Sequence, residues 1–150
     1  DEKEPLNLWK ARKSAHATLA RASTSFVLDD VTVPISRIPE LLVGIQEISQ
    51  KYGIVVATFG HAGDGNLHPQ ILYSEYDPEQ VERTEKVEEE IFRLAISLNG
   101  TLSGEHGIGL SKANYMTLEH DQVEMALMKQ IKRTLDPNNI MNPGKRALDG

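Results

Sequence analysis

Ile54-Val55-Val56-Ala57-Thr58-Phe59-Gly60-His61-Ala62-Gly63-Asp64-Gly65-Asn66-Leu67-His68-Pro69-Gln70-Ile71-Leu72-Tyr73 contains two apolar, β-branched runs separated by turn residues. Ile54 to Phe59 reads as a buried strand and Leu67 to Tyr73 as its neighbour, with Gly63, Asp64, Gly65 and Asn66 in the turn. A β-hairpin is predicted. If His61 and His68 close its ends, they sit opposite one another on one face, with Cβ atoms about 4.5–5.5 Å apart. Two imidazoles at that separation can share an ion whose Zn–N bonds are about 2.0–2.1 Å. Downstream, Ser103-Gly104-Glu105-His106-Gly107-Ile108-Gly109 offers Glu105 as a third ligand. Two histidines and one carboxylate leave a coordination position open, as catalytic rather than structural zinc sites do. His106 would stand beside that position, able to move a proton. The same residues also read as ordinary turn and cap residues.

Working outward, Leu8 to Ala22 reads as a helix, and Ser25 to Pro34 as a strand interrupted at Asp29-Asp30 by a bulge or an exposed edge. Ser36 is a candidate cap for a helix whose apolar stripe is Ile38, Leu41, Leu42, Ile45 and Ile48, closed by Gly53. After the hairpin, Asp77-Pro78-Glu79 supplies an N-cap, a proline at the first helical position and an early acid. Val81, Val87, Ile91, Leu94 and Leu98 mark the long helix that follows. Thr101 to Ser103 is a short strand candidate, Gln122 to Leu135 a further helix, and Asp136 to Lys145 turn-forming throughout. The apolar stripes of these helices read as core. From Phe26 to Ser103 the order is β-α-β-β-α-β. The fold class is therefore α+β, a ferredoxin-like antiparallel sheet with helices on one face, plus an N-terminal helix and a C-terminal helical extension.

Composition narrows the function. The chain has 150 residues, enough for one core, and its 39% hydrophobic and 25% charged content is ordinary for a globular domain. With 16 basic and 22 acidic residues the net charge is -6, and no dense Lys/Arg run offers a phosphate-tracking stripe, so nucleic acid is excluded as an expected partner. The absence of cysteine removes disulfides, thiolate catalysis and Cys-type zinc fingers together. Any metal must use His, Asp or Glu. No apolar run approaches the roughly 20 residues that span a bilayer, and no signal pattern opens the chain, so a soluble, cytoplasmic protein is expected. Its first residue is Asp1 rather than Met, as expected of a processed chain or a piece of a longer one.

Three motifs together, Gly60 to Pro69, Ser103 to Gly109 and Asn142-Pro143-Gly144-Lys145, closely resemble the C-terminal domain of FAD-linked oxidases, nearest the glycolate oxidase and D-lactate dehydrogenase type of the vanillyl-alcohol-oxidase superfamily. The resemblance runs from Trp9 through Lys145. It implies that residues 1–150 form a substrate and cap domain, with most of the FAD held by an N-terminal domain in cis. It also implies oxidation of a D-2-hydroxy acid, of the glycolate or D-lactate type, by hydride transfer to FAD. On the same ground His61, His68 and Glu105 match ligands of a divalent metal, zinc in the first instance, and His106 matches the histidine that takes the hydroxyl proton. Arg12 matches an arginine that grips the substrate carboxylate, a role suited to a planar, permanently charged fork. Gln70 stands where related enzymes place an asparagine near the substrate. Glu105, His106 and Asn142 are expected at the flavin. Lys112 and Tyr115 also fit the pattern, although an exposed helix start explains them equally well. No phosphate-binding glycine loop follows a strand in this chain, in keeping with a cofactor held elsewhere.

Partners implied are a small 2-hydroxy acid, the FAD-binding domain, electron-transfer subunits at the inner face of a membrane, and a second copy in a homodimer. Two other classes stay open on the residues alone. One is a self-contained metal-dependent hydrolase using the same two histidines and glutamate; the other is a non-catalytic interaction domain.

Overall fold

The computed structural model describes residues 23–148, with the Ala147 side chain excepted, together with Trp9, Lys10, Ser14, Thr18, Leu19 and Arg21. Trp9, Lys10, Ser14, Thr18 and Leu19 are helical, in agreement with the helix expected there. Arg12 lies outside the described residues.

Four strands form one antiparallel sheet. They are β1 (Ser25–Leu28), β2 (Val31–Thr32), β3 (Val55–His61) and β4 (Asn66–Tyr73), and β4 is central, flanked by β3 on one side and by β1 and β2 on the other. The helices α1 (Ile38–Tyr52) and α2 (Pro78–Ser97) follow β2 and β4 respectively, and α3 (Met116–Glu119) and α4 (Gln122–Leu135) form the C-terminal extension. The α+β class and the β-α-β-β-α-β order hold. The expected last strand is reduced to a single antiparallel bridge between Thr101 and Thr32, because Leu102 turns into the core and Ser103 turns onto Asp30.

The break between β1 and β2 has a specific cause. Leu28 pairs with Gln70 and Val31 with Leu67, three residues on along both strands, so no residue is inserted. Asp29 falls opposite Pro69, donates its N–H to the Pro69 carbonyl at 2.9 Å, and receives nothing back because proline has no N–H. This corrects the expectation of a bulge or an exposed edge: Asp29 and Asp30 are buried, at 2% and 0% exposure.

One face of the sheet carries Val31, Leu67 and Ile71, which pack with Leu41, Ile45 and Ile48 of α1 and Val87, Ile91, Phe92 and Ala95 of α2. Alternation places Asn66, His68, Gln70 and Leu72 on the other face. The helix ends mostly follow their sequence signals. Asp77 caps α2 through the N–H groups of Glu79 and Gln80, and Gly53 closes α1 in the left-handed region at φ 61°. Ser36 does not cap α1; it lies in a 3-10 turn, Ile35–Arg37, and the N-cap residue is Arg37.

α4 departs most from the sequence expectation. It has a complete capping box, Asp121 with Glu124, but no buried residue. Its stripe of Val123, Leu127, Ile131 and Leu135 is exposed, as are Leu110, Ile140 and Met141 nearby. Among the described residues, no helix is long and apolar enough to cross a membrane.

Candidate active site

The hairpin places both histidines on the side of the sheet facing away from the helices, but not directly opposite one another. His61 pairs with Asn66 and His68 with Phe59, so the two histidines are diagonal neighbours, their ring centroids 5.3 Å apart and their planes nearly perpendicular. The turn that sets this offset is four residues, Ala62 to Gly65, closed by N–H groups of Asp64 and Gly65 on the His61 carbonyl. Gly65 is required there. Its φ is +83°, and a Cβ would lie 2.0 Å from the carbonyl oxygen of Val33, whose N–H in turn ties the turn down through a 3.1 Å bond to the Gly65 carbonyl.

Glu105 joins them from the second motif. Its Oε1 lies 3.2 Å from His68 Nε2, 3.7 Å from His61 Nε2 and 3.6 Å from His106 Nε2. One ligand atom from each of His61, His68 and Glu105 falls within 4.8 Å of the others, spacing that suits a single cation. Burial and the neighbouring His106 push the His68 imidazole below its ordinary pKa, which favours the neutral form that ligates metal. His68 is buried, whereas His61 and Glu105 are partly open to solvent, so the set is accessible from one side.

The loop bearing Glu105 and His106 is held by Asp30. Its carboxylate accepts the Ser103 hydroxyl at 2.5 Å and the backbone N–H groups of Gly104, Glu105 and His106 at 3.1, 3.0 and 2.8 Å. Burial alone would raise the Asp30 pKa; these donors outweigh it and hold the group at about 2. Gly104 permits the close approach, since a Cβ would meet Thr32 Oγ1 at 2.2 Å and Asn66 Cγ at 2.9 Å.

Lys112 secures the same region from below. It is buried, not at an exposed helix start, and its Nζ donates to the carbonyls of Asp30 and Leu102, both at 2.7 Å, with the Phe92 ring 5.2 Å away. Tyr115 is half-buried against the same ring, at 4.8 Å. Burial lowers the Lys112 pKa, against the opposing pull of Asp29, Asp30 and Glu88. Burial likewise raises Asp29 to about 6 and Glu88 to about 7. Asp30, Asp29 and Glu88 were not legible as site supports, since the two-aspartate strand interruption reads as a bulge or an exposed edge, whereas Lys112 had its fit to the family pattern as a signal.

His106 connects two features. Its ring stacks on that of His68 at 5.0 Å, with 12° between the planes, and it also lines a cleft of about 640 Å³ with Ile108, Met128, Ile131 and Asn142. Asn142 is exposed in the left-handed region at φ 50°. Thus Asn142, expected at a flavin, shares a cleft with His106. Gln70 is on the same face as His68 but fully buried, with neither amide atom hydrogen-bonded among the described residues.

Residues 1–146 match the family model described as FAD linked oxidases, C-terminal domain. The chain is 44% identical over 144 residues to GlcD of the glycolate oxidase of Bacillus subtilis, covering 96% of this chain and 31% of that protein. It is 38% identical over 145 residues to GlcD of Escherichia coli, covering 97% and 29%. It is 40% identical over 147 residues to a probable mitochondrial D-lactate dehydrogenase of Danio rerio, covering 97% and 30%. The chain thus spans less than a third of the length of these curated relatives. Together with a family model that covers nearly every residue, they show that this chain belongs to the FAD linked oxidases, as their C-terminal domain.

Proposed function

We propose that this domain is the substrate-facing part of an enzyme that oxidises a small D-2-hydroxy acid, of the glycolate or D-lactate type, to the 2-oxo acid. Relatives named for glycolate oxidation and for D-lactate dehydrogenation support the reaction class. The observation that carries it is the position of His106, against the His68 ring and Glu105 on one side and in the wall of the cleft on the other.

In this reading His61, His68 and Glu105 hold a divalent cation, zinc in the first instance. The donor set fits, with two imidazoles and one carboxylate converging and one side left open. When bound, the cation supplies a Lewis acid for the substrate oxygen, and FAD supplies the hydride acceptor. The chain's own residues do the rest. His106 accepts the proton of the 2-hydroxyl at Nε2, within reach of Glu105, which steadies the resulting imidazolium. Arg12 holds the substrate carboxylate. Glu105, His106 and Asn142 would hold the flavin; His106 and Asn142 share the cleft, and Met128 and Ile131 give it an apolar wall against which a flavin ring would be shielded from water.

The exposed stripe of α4, next to that cleft, is the surface on which an FAD-binding domain in cis packs. Four large apolar side chains at i, i+4 spacing are otherwise left in water, at a cost of about 1.5–3 kcal/mol each relative to burial. In this reading the oxidase is cytoplasmic and passes its electrons to partner subunits at the inner face of the membrane.

The experiment is anaerobic mixing of the holoenzyme with D-lactate or glycolate while the flavin absorbance is followed. Bleaching of the oxidised flavin by either acid is expected. A flavin that stays oxidised with every D-2-hydroxy acid tried would exclude the reaction.

A further inference from the structure

The cleft beside His106 is lined by two kinds of side chain. Ile108, Met128, Ile131 and Leu135 make it apolar, and Lys132, Lys145 and Arg146 bring three cations to it against one acid, Asp136. In a chain of net charge -6 this is a local reversal of sign. Asp136 is already satisfied. Its carboxylate pairs with Lys132 Nζ and accepts the N–H groups of Ile140 and Met141 at 3.0 and 2.8 Å. Lys132 is committed in turn, to that carboxylate and to the Met141 carbonyl at 2.8 Å. Lys145 and Arg146 are not: neither side chain has a hydrogen bond or an ion pair among the described residues.

The backbone holds these two cations at the cleft. Gly144 turns the chain at φ 78° immediately before Lys145, which is half-buried. Arg146 sits in the left-handed region at φ 60°, a conformation uncommon outside glycine that persists where the surrounding structure over-determines it. Its N–H donates to the Gly109 carbonyl at 2.9 Å, on the loop that carries His106, and Leu148 is buried two residues on. A strained backbone thus fixes an unneutralised charge beside the proposed base.

A ligand for such a cleft is broad and apolar across its face and anionic at one edge. An acid the size of glycolate or lactate is too small to fill about 640 Å³. A flavin ring has both properties, because it gains a negative charge along its N1–C2=O edge when it takes up a hydride at N5. We infer that Lys145 and Arg146 hold that charge, so that the C-terminal tail, together with the FAD-binding domain, sets how readily the flavin is reduced. The inference rests on the flavin reading above and deepens it. The substrate's Cα–H bond breaks and its hydrogen leaves for N5 with both bonding electrons; the hydroxyl proton goes to His106, and the ring is left with one negative charge. Cations placed in advance where charge develops stabilise it without reorganising.

The test is the midpoint potential of the flavin in the complete flavoprotein, titrated against a reference dye with no substrate present, for wild type, Lys145→Met, Arg146→Met and the charge-keeping Lys145→Arg and Arg146→Lys. Each Met variant is expected to shift the equilibrium with the dye toward oxidised flavin by about 10–100-fold, the worth of a hydrogen bond to a charged group, or roughly 30–60 mV for a two-electron couple. Flavin content should be unchanged, and the charge-keeping variants should stay close to wild type. Met variants with the wild-type potential overturn the inference. So does loss of FAD from Met variants whose remaining flavin keeps that potential, which would put the pair on the FAD phosphates instead. The pH dependence of the wild-type potential, on the acid side of neutrality, needs no variant to fold. About 30 mV per pH unit, one proton per two electrons, supports a ring left anionic, and about 60 mV, two protons, overturns it. A flavin that no D-2-hydroxy acid bleaches defeats the reaction reading instead, and these substrate-free titrations still decide the role of the pair.

Discussion

Asp30 Oδ2 accepts the backbone N–H of His106 at 2.8 Å, so the residue assigned to proton transfer is placed by a carboxylate in the break between β1 and β2 rather than by its own loop. The same oxygen takes the N–H of Glu105 and the Ser103 hydroxyl. One buried acid thus fixes Glu105 and His106 against the histidines of the hairpin.

Replacing it tests this dependence. Asp30→Asn puts an amide among donors and is expected to cost about 1.5–3 kcal/mol of stability, the range for hydrogen bonds to a charged group. Asp30 is held at about 2 in the fold, below its ordinary 3.8. Its stabilisation is therefore complete above about pH 4 and lost as pH falls through about 2. Urea unfolding across that window should show a shallower acid limb in Asp30→Asn than in wild type; parallel limbs would contradict the assignment.

Glu88 runs in the opposite direction. Burial and Asp29 raise it to about 7 from 4.5, so its folded form favours the proton, and the stability this brings is present below about pH 4.5 and lost as pH rises through about 7. Glu88→Gln is expected to be more stable than wild type near pH 8, by on the order of 1 kcal/mol, and to differ little near pH 4.5. Thermal melts at the two pH values check this. An equal difference at both would show that ionisation is not the cause.

Lys112 neutralises Asp29 and Glu88 while bridging two carbonyls. Lys112→Met should cost about 3–5 kcal/mol near pH 8, as expected for a buried charge pair with one partner removed. The cost should shrink below about pH 6, where Asp29 and Glu88 take up protons in the fold. Denaturant midpoints of both proteins across this range supply the comparison.

Binding and chemistry separate by residue. Arg12→Ala should mainly raise KM, because it would hold the carboxylate in ground and transition states alike. His106→Ala should lower kcat by roughly 10²–10⁴-fold, with flavin content near wild type, because its proton moves only during reaction. Steady-state kinetics with D-lactate and glycolate, with flavin reduction verified as limiting, distinguish these effects.

How far the sequence could be read depended on the range of the forces involved. The hairpin, the caps at Asp77 and Gly53 and the lengths of α2 and α4 follow from local rules, and all were legible. The convergence of Glu105 on His61 and His68 was also readable, through motif chemistry. What sequence hid was long-range or solvent-dependent. Asp29 and Asp30 look like surface breakers, yet the missing N–H of Pro69, on a different strand, opens the ladder, and 74–76 residue separations join Asp30 to its loop. Lys112 fits the family pattern, yet an exposed helix start explains it equally well in sequence, because nothing local shows two carbonyls and two acids waiting for it. The stripe of α4 has the periodicity of a core helix and lies in solvent, since periodicity reports that a face is to be covered and not by what.

If His61, His68 and Glu105 form one cation site, elemental analysis of the purified holoenzyme reads it out. Wild type is expected to retain about one zinc or similar divalent ion per chain, and His61→Ala and Glu105→Gln to lose most of it, with flavin content unchanged. Equal metal in wild type and in both variants would contradict the site.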